Sequence, residues 1–265
     1  MAGPAPGLTG SVAWAGSGVS AQLASLGARA RNFSLEIDGE EFDGTAFDVD
    51  NTTAASAWKK GIFGPVTGSF DVYMANTDHG FLGSVTNAAS TVLNLDAWRI
   101  RIARTVMGPY AAFGGTAYEA KPGIVSWDGD YEGHLDDATA CVLPVNASEP
   151  ATGTFVYYTG YNLSGSIFTT RLSANAEYSR LGRYAYRFRG AAVIAHNDVG
   201  AQTNEFIPAG NLAGNDPATV LTLTYFTGRS FAVSAFWTSI DLECRGGSLV
   251  TGRVGFHGSG TVTPA

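Results

Sequence analysis

Short stretches that alternate apolar and polar residues at period two recur along the chain, with glycine-rich breaks between them. Phe33-Ser-Leu-Glu-Ile-Asp38 is one. Gly68–Met74, Trp98–Ile102, Tyr184–Phe188, Val220–Tyr225 and Leu249–Phe256 are others. This period is that of a strand with one face on a core and one in water. Asp38-Gly39 reads as a hairpin turn. The 34 glycines among 265 residues, about 13% where roughly 7% is usual, suit turns, bulges and close strand approach. Leu82–Leu95 differs. It spaces Val85, Ala88, Ala89, Val92 and Leu95 at threes and fours, which makes it the one fair helix candidate. The expected fold class is all-β, built of β-sandwich or barrel modules with at most one or two short helices.

Internal repeats narrow this further. Gly44-Thr-Ala-Phe47 recurs as Gly115-Thr-Ala-Tyr118, and Gly61-Ile-Phe63 as Gly123-Ile-Val125. Gly68-Ser-Phe-Asp71 recurs as Gly129-Asp-Tyr-Glu132. The order is the same in both copies, and the first carries an insertion around Asp48–Lys60. A looser pair follows. Ser166-Ile-Phe168 through Tyr186-Arg-Phe-Arg-Gly190 is matched with Arg229-Ser-Phe231 through Val254-Gly-Phe-His-Gly258. The chain therefore reads as an extended N-terminal arm or first edge strand over 1–30, then two related β-modules over 31–265. The modules interleave, with early elements at 33–75 and 98–137 and late elements at 153–196 and 220–262. The two prolines in 138–152 make that stretch the best linker candidate.

Bulk numbers exclude several classes. Apolar residues make up 45%, too many for a disordered chain. No apolar run reaches the roughly 18 residues of a membrane-spanning helix. Charged residues are only 15%, and the net charge is −7. That balance opposes duplex binding by phosphate neutralisation. Arg180, Arg183, Arg187 and Arg189 form the one basic cluster, on an alternating segment, and read first as a solvated or interface stripe. Cys141 and Cys244 stand far apart with no ligand-type spacing, so two buried free thiols are expected. The first residues, MAGPAPGLTG, lack a basic region and an apolar core, so synthesis in a cytoplasm without a secretory signal is expected.

Chemistry-bearing motifs are sparse. No glycine run has the phosphate-binding form, and no serine sits in a nucleophile elbow. His79, His134, His196 and His257 are scattered. His134 beside Asp136 and Asp137 is the nearest approach to a metal site, and a turn with solvated carboxylates explains it as well. No cofactor or metal is expected. The densest acidic groups are Glu36, Asp38, Glu40, Glu41 and Asp43, and Asp128, Asp130, Glu132, Asp136 and Asp137. They read as solvated strand edges and loops, or as negative charge presented to a shared surface. Five Trp and eleven Tyr keep a carbohydrate-binding sandwich open, with core packing the default role of each ring.

Trp58-Lys-Lys-Gly-Ile-Phe63 followed by Thr67-Gly-Ser-Phe-Asp71 resembles the tail tube (major tail) proteins of long-tailed bacteriophages. So does Glu119-Ala-Lys-Pro-Gly-Ile-Val125 followed by Trp127-Asp-Gly-Asp-Tyr-Glu132. The closing strands that end in Phe188-Arg-Gly190 and Phe256-His-Gly258 resemble theirs as well. The repeat-bearing residues are Gly44, Phe47, Trp58, Gly61, Gly68, Phe70, Gly115, Tyr118, Gly123, Trp127, Gly129, Tyr131, Phe188, Gly190, Phe256 and Gly258. The resemblance implies a non-enzymatic virion protein that assembles with itself and with other tail proteins. Its rings stack into a tube through which genomic DNA passes without tight binding. With two modules per chain, a three-chain pseudo-hexamer is the natural ring, and six chains the alternative. The acidic residues Glu36, Glu40, Glu41, Asp43, Asp128, Asp130, Glu132, Asp136 and Asp137 are then candidates for the lumen or the assembly contacts. Other readings stay open: another virion β-protein (decoration, tail-end or fibre), a carbohydrate-binding sandwich, or an enzyme with dispersed carboxylates.

Overall fold

Alternating segments become strands, and the strands run much longer than the alternation alone marks. In the computed structural model the described residues are 11–14, 28–43, 58–74, 83–87, 90–92, 94–111, 118–135, 150–158, 161–177, 180–198, 219–226, 228–248 and 250–264. They form β1 (Ser11–Trp14), β2 (Ala28–Asp43), β3 (Trp58–Met74), β4 (Ser84–Asn87), β5 (Ser90–Thr91), β6 (Leu95–Ala111), β7 (Tyr118–Leu135) and β8 (Ala151–Tyr158). Then come β9 (Tyr161–Glu177), β10 (Arg180–Gly190), β11 (Ala195–Asp198), β12 (Thr219–Phe226), β13 (Arg229–Arg245), β14 (Thr251–Gly258) and β15 (Thr263–Pro264). The class is all-β, and the described residues contain no helix. Every strand pairing is antiparallel, in one 15-stranded sheet whose main path is β2-β3-β14-β13-β6-β7-β10-β9-β8-β4-β5.

The pairings run through the same sequence twice. β2 pairs β3, β3 pairs β14, β14 pairs β13, β13 pairs β12, and β12 pairs β1. In the same order β6 pairs β7, β7 pairs β10, β10 pairs β9, β9 pairs β8, and β8 pairs β4. β15 adds to β13 as β11 adds to β9. The second set is contiguous in sequence and lies wholly between β3 and β12 of the first. The chain thus holds an inserted half (β4–β11) nested within an outer half (β1–β3 with β12–β15). β5 has no counterpart among the described residues. In each half the first strand comes back against the strand that follows it, β1 near β2 and β4 near β6, so each half curls towards closure.

Register makes the correspondence residue by residue. Phe256 stands opposite Gly68, and Phe188 opposite Gly129. Val12 faces Leu223 as Val85 faces Phe155. The β13–β14 ladder slips between Trp237 and Ser239, and the β9–β10 ladder slips at the matching place, opposite Arg187 and Phe188. Even the backbone bonds just past the glycines agree. Ser259 N donates to Ser234 O at 2.7 Å, and Ala191 N donates to Ser166 O at 2.8 Å. By this register Phe168 corresponds to Phe236, so Ser166-Ile-Phe168 matches Ser234-Ala-Phe236. The Arg229-Ser-Phe231 match expected from sequence is displaced by five residues, because a serine close before a phenylalanine occurs at both places.

Two other expectations change. Leu82–Leu95 holds β4, β5 and the start of β6 instead of a helix. Val85 is fully buried opposite Phe155, and Val92 N closes the hairpin on Val85 O at 2.8 Å. Pairing to β8 outweighs the chance spacing of apolar residues. Asp38-Gly39 is no hairpin turn. β2 runs through it to Asp43, with register shifts on either side of Gly39 that mark a bulge. Ser11–Trp14 and Ala28–Ala30 of the expected arm are strand, with Val12 buried at 3%. Gly44, Phe47, Gly115, Asp136, Asp137, Cys141 and most of the 138–152 linker candidate lie outside the described residues.

One continuous core serves both halves. The halves fill matched positions differently. Trp127, Tyr131, Phe155 and Tyr186 of the inserted half stand where Val66, Phe70, Leu223 and Val254 stand in the outer half. The inserted half is consequently an aromatic cluster. Tyr131 stacks on Tyr186 at 4.8 Å, Phe155 on Phe188 at 4.9 Å, and Trp127 meets Phe188 edge-on at 5.9 Å. Two donors find partners: Asn87 Nδ2 donates to the Tyr131 hydroxyl at 3.1 Å, and Trp127 Nε1 to Ala192 O at 2.6 Å.

The glycines opposite the phenylalanines are required by space. A Cβ on Gly68 would strike Ser34 O and the Phe256 ring, and one on Gly129 would strike Arg99 O and the Phe188 ring. Nothing lies within 4 Å of a Cβ on Gly39. Gly68→Ala and Gly129→Ala should each lose about 1–3 kcal/mol in urea unfolding through overpacking. Gly39→Ala should stay within about 0.5 kcal/mol of the parent.

Candidate functional site

An antiparallel sheet can present one face to the core and the other to water. Here the outward face of the main sheet carries rows of charge whose sign alternates from strand to strand. Across the path, Asp71 (β3) stands opposite Arg253 (β14), and Arg253 opposite Asp241 (β13). Asp241 stands opposite Arg101 (β6), Arg101 opposite Asp128 (β7), and Asp128 opposite Arg189 (β10). The next row reads Glu243, Arg99, Asp130, Arg187, again alternating. Neighbouring strands are about 4.8 Å apart, so acid and base columns interdigitate at the spacing of the ladder itself.

The geometry within this lattice is that of exposed ion pairs. Arg101 Nε lies 3.1 Å from Asp241 Oδ1, and Arg99 Nη2 lies 3.4 Å from the same oxygen. Arg253 Nε lies 3.6 Å from Asp71 Oδ1, and its Nη2 donates to Ser69 Oγ at 3.0 Å. Arg245 reaches Glu243 at 3.6 Å and Glu132 at 4.0 Å. Each such pair contributes between zero and about 1 kcal/mol. Their joint effect is on the potential of the face, which has no dominant sign. Asp241 holds the Arg101 guanidinium above its ordinary value, by hydrogen bond first and by charge second. The Asp130 carboxyl is raised, chiefly by burial, against the opposing pull of Arg99 and Arg187. A shallow depression across this face is lined by Arg99, Arg101, Asp128, Asp130, Thr170 and Arg187.

Asp128, Asp130 and Glu132 therefore come together with one another, and they do so on a strand, not in loops. Arginines of β6 and β10 are interleaved with them. Arg187 and Arg189, read from sequence as a solvated or interface stripe, are two of the interleaving bases. The rest, Arg99, Arg101 and Arg253, do not stand out as a group in the sequence, because their grouping exists only across strands. The signal was present in Trp98-Arg-Ile-Arg-Ile102, where both polar positions of an alternating segment are the same base. Glu36 is exposed on β2. Glu40, Glu41 and Asp43 belong to the far end of the same strand. Trp58 and Gly61 lie in β3, and Tyr118 and Gly123 in β7. Gly190 packs its bare Cα against the Trp127 indole, and Gly258 against Val66.

No group of three His, Cys, Asp or Glu residues among the described residues is placed to hold a metal. His134 Nδ1 pairs with Asp96 at 2.8 Å, His196 Nε2 with the Tyr157 hydroxyl at 2.6 Å, and the buried His257 Nδ1 lies 2.7 Å from Gly258 O. The Cys244 thiol is buried, and burial, then Glu243, pushes it up to about 11, so it is not a nucleophile at neutral pH. Trp98, Trp127 and Trp237 are buried in the core rather than offered to a sugar. No described helix is long and apolar enough to cross a membrane.

No family model matches the sequence, and no curated protein matches it. A solved chain from the virion of a native gene transfer agent (GTA) particle is similar at a TM-score of 0.37 and 12% identity. The likeness covers 45% of this chain and 98% of that chain.

Because the folded Asp130 carboxyl holds its proton more tightly than an unfolded one, its contribution is present below about pH 3.8 and is lost as the pH rises through the raised folded value. Asp130→Asn should therefore melt at or above the parent temperature at pH 7. The difference should vanish in melts below about pH 3.8.

Proposed function

We propose that this protein is a structural virion subunit that joins copies of itself edge to edge into rings, and that the rings stack into the tube of a phage tail. The observation that carries this reading is the seam between the two halves. β13 of the outer half pairs antiparallel with β6 of the inserted half over Ser239–Arg245 and Ala97–Ala103, so two equivalent units already sit side by side in one sheet. A unit that joins its copy through unlike edges leaves one edge of each kind free. Such heterologous contacts either close into a ring or run on as a filament. The resemblance of both halves to tail tube modules favours closure. Three chains then supply six units.

The charge lattice supports the same reading. Lining a closed sheet, the outward face would offer a passing duplex Arg253, Arg101 and Arg99, each with a carboxylate opposite on both neighbouring strands. Along those strands a phosphate backbone would gain no run of uncompensated positive charge, and tight binding needs such a run. Few residues are charged overall, which suits a surface largely consumed by neighbouring copies.

Negative-stain imaging together with native mass measurement of the purified chain tests the proposal. Annular particles or tubes with three chains per layer are expected. Rings of six whole chains would overturn the three-chain count, and a chain that stays monomeric at high concentration would overturn the assembly reading.

A further inference from the structure

The β13–β6 seam occurs once within the chain, but both of its edges occur twice. β9 is the counterpart of β13, and β2 the counterpart of β6. Over Arg171–Glu177, β9 pairs with β10 on one side and has no strand partner on the other among the described residues. Among the described residues β2 pairs with β3 alone. The alternation that buries the seam is repeated on both free edges. Trp98, Ile100 and Ile102 of β6 are at most 1% exposed, sealed by Ile240, Leu242 and Cys244. Their counterparts by register are Phe33, Leu35 and Ile37. Ile37 is 41% exposed, and Phe33 and Leu35 are only half-buried. The counterparts of Ile240, Leu242 and Cys244 are Leu172, Ala174 and Ala176, which are half-buried or exposed and small enough to admit larger partners.

We infer that Arg171–Glu177 of one chain adds as an antiparallel strand to Asn32–Asp38 of the next, in the register of the internal seam. This rests on the ring reading and supplies its contact: the partner is a second copy of the same chain. Ile240 opposite Ile102 translates to Leu172 opposite Ile37, Leu242 opposite Ile100 to Ala174 opposite Leu35, and Asp241 opposite Arg101 to Ser173 opposite Glu36. Ser239 opposite Ala103 translates to Arg171 opposite Asp38.

Charge agrees with this register. Within the seam, one acid of β13, Asp241, is held by two bases of β6, Arg99 and Arg101. Across chains the signs reverse: one base of β9, Arg171, faces Asp38 directly and Glu36 on the diagonal, both within cross-strand reach. The same carboxylates repel a β2 edge from another β2 edge, so pairing is directed to the unlike edge. The open N–H and C=O groups of both edges are satisfied by the added ladder. Glu36 thereby acquires an assembly role, distinct from the acids of the β7 column.

Cysteine pairs in the full chain test the register. Directly opposite positions lie about 4.5–5.5 Å apart, within disulfide reach. Diagonal positions lie about 7–8 Å apart, beyond it. Oxidised Ser173→Cys/Glu36→Cys protein should run as a covalent multimer ladder on a non-reducing denaturing gel. Ser173→Cys/Ser34→Cys protein should not. Assemblies visible by electron microscopy that cross-link through Ser34 instead, or through neither pair, overturn the register and leave the ring reading standing. A parent chain that remains monomeric overturns both. A second pair of variants avoids introduced thiols. Arg171→Asp should raise the concentration needed for assembly about tenfold. Adding Asp38→Arg should restore it. Equal assembly by Arg171→Asp, or no recovery in the double variant when both still melt cooperatively, also overturns the proposal.

Discussion

A phenylalanine ring lying across a bare glycine on the next strand is the contact on which this structure turns. Phe256 over Gly68 and Phe188 over Gly129 occupy the same node in the two halves. The missing Cβ lets the ring drop onto the sheet between backbone and core. The long side chain of one strand thus fills the volume that the neighbouring strand gives up. A one-residue slip of either ladder would put the ring against a filled position and turn the flanking apolar residues to water. The node therefore fixes β3 against β14 and β7 against β10, and the sheet on either side takes its register from those pairs. The glycines at 190 and 258, pressed against Trp127 and Val66, extend the same device two residues along.

Once register is fixed, the outward face follows. Because side chains alternate strictly, the residues between the core positions of neighbouring strands must fall into rows. In those rows the acids of β3, β13 and β7 alternate in space with the arginines of β14, β6 and β10. Each ion pair is too exposed to stabilise the fold by much. The lattice is better understood as selecting neighbours, since a strand pair out of order would set like charges side by side.

How much of this could be read in the chain depends on whether the signal was local. Alternation located the segments that became β2, β3, β6, β10, β12 and β14. The match of Gly68-Ser-Phe-Asp71 with Gly129-Asp-Tyr-Glu132 fell at equivalent positions, because a sterically required glycine and its aromatic neighbour tolerate little change. The late match slipped from Phe236 to Phe231, because a serine close before a phenylalanine occurs at both places and neither carries a forced glycine. Trp127 for Val66 and Phe155 for Leu223 hid the equivalence of the cores, since a pocket can be filled by one large ring or by several smaller chains. The charge lattice was illegible for a different reason. Arg101, Asp128, Arg189 and Asp241 are distant in sequence and meet only through pairing. The Val85–Val92 segment misled because helical spacing over so short a run is easily met by two small strands.

Nesting one half inside the other also sets a schedule. Among the described residues Ser11–Trp14 finds its partner only in Leu221–Thr224, and β3 finds its second neighbour only in β14. The inserted half, by contrast, is complete once Asp198 has been made. During synthesis the inner unit can close on its own contacts while β1–β3 wait with open edges. Contacts of such long sequence separation form late and slowly. The interval leaves β2 exposed, with Glu36 and Asp38 along it, before the chain has acquired the strands that complete its own sheet.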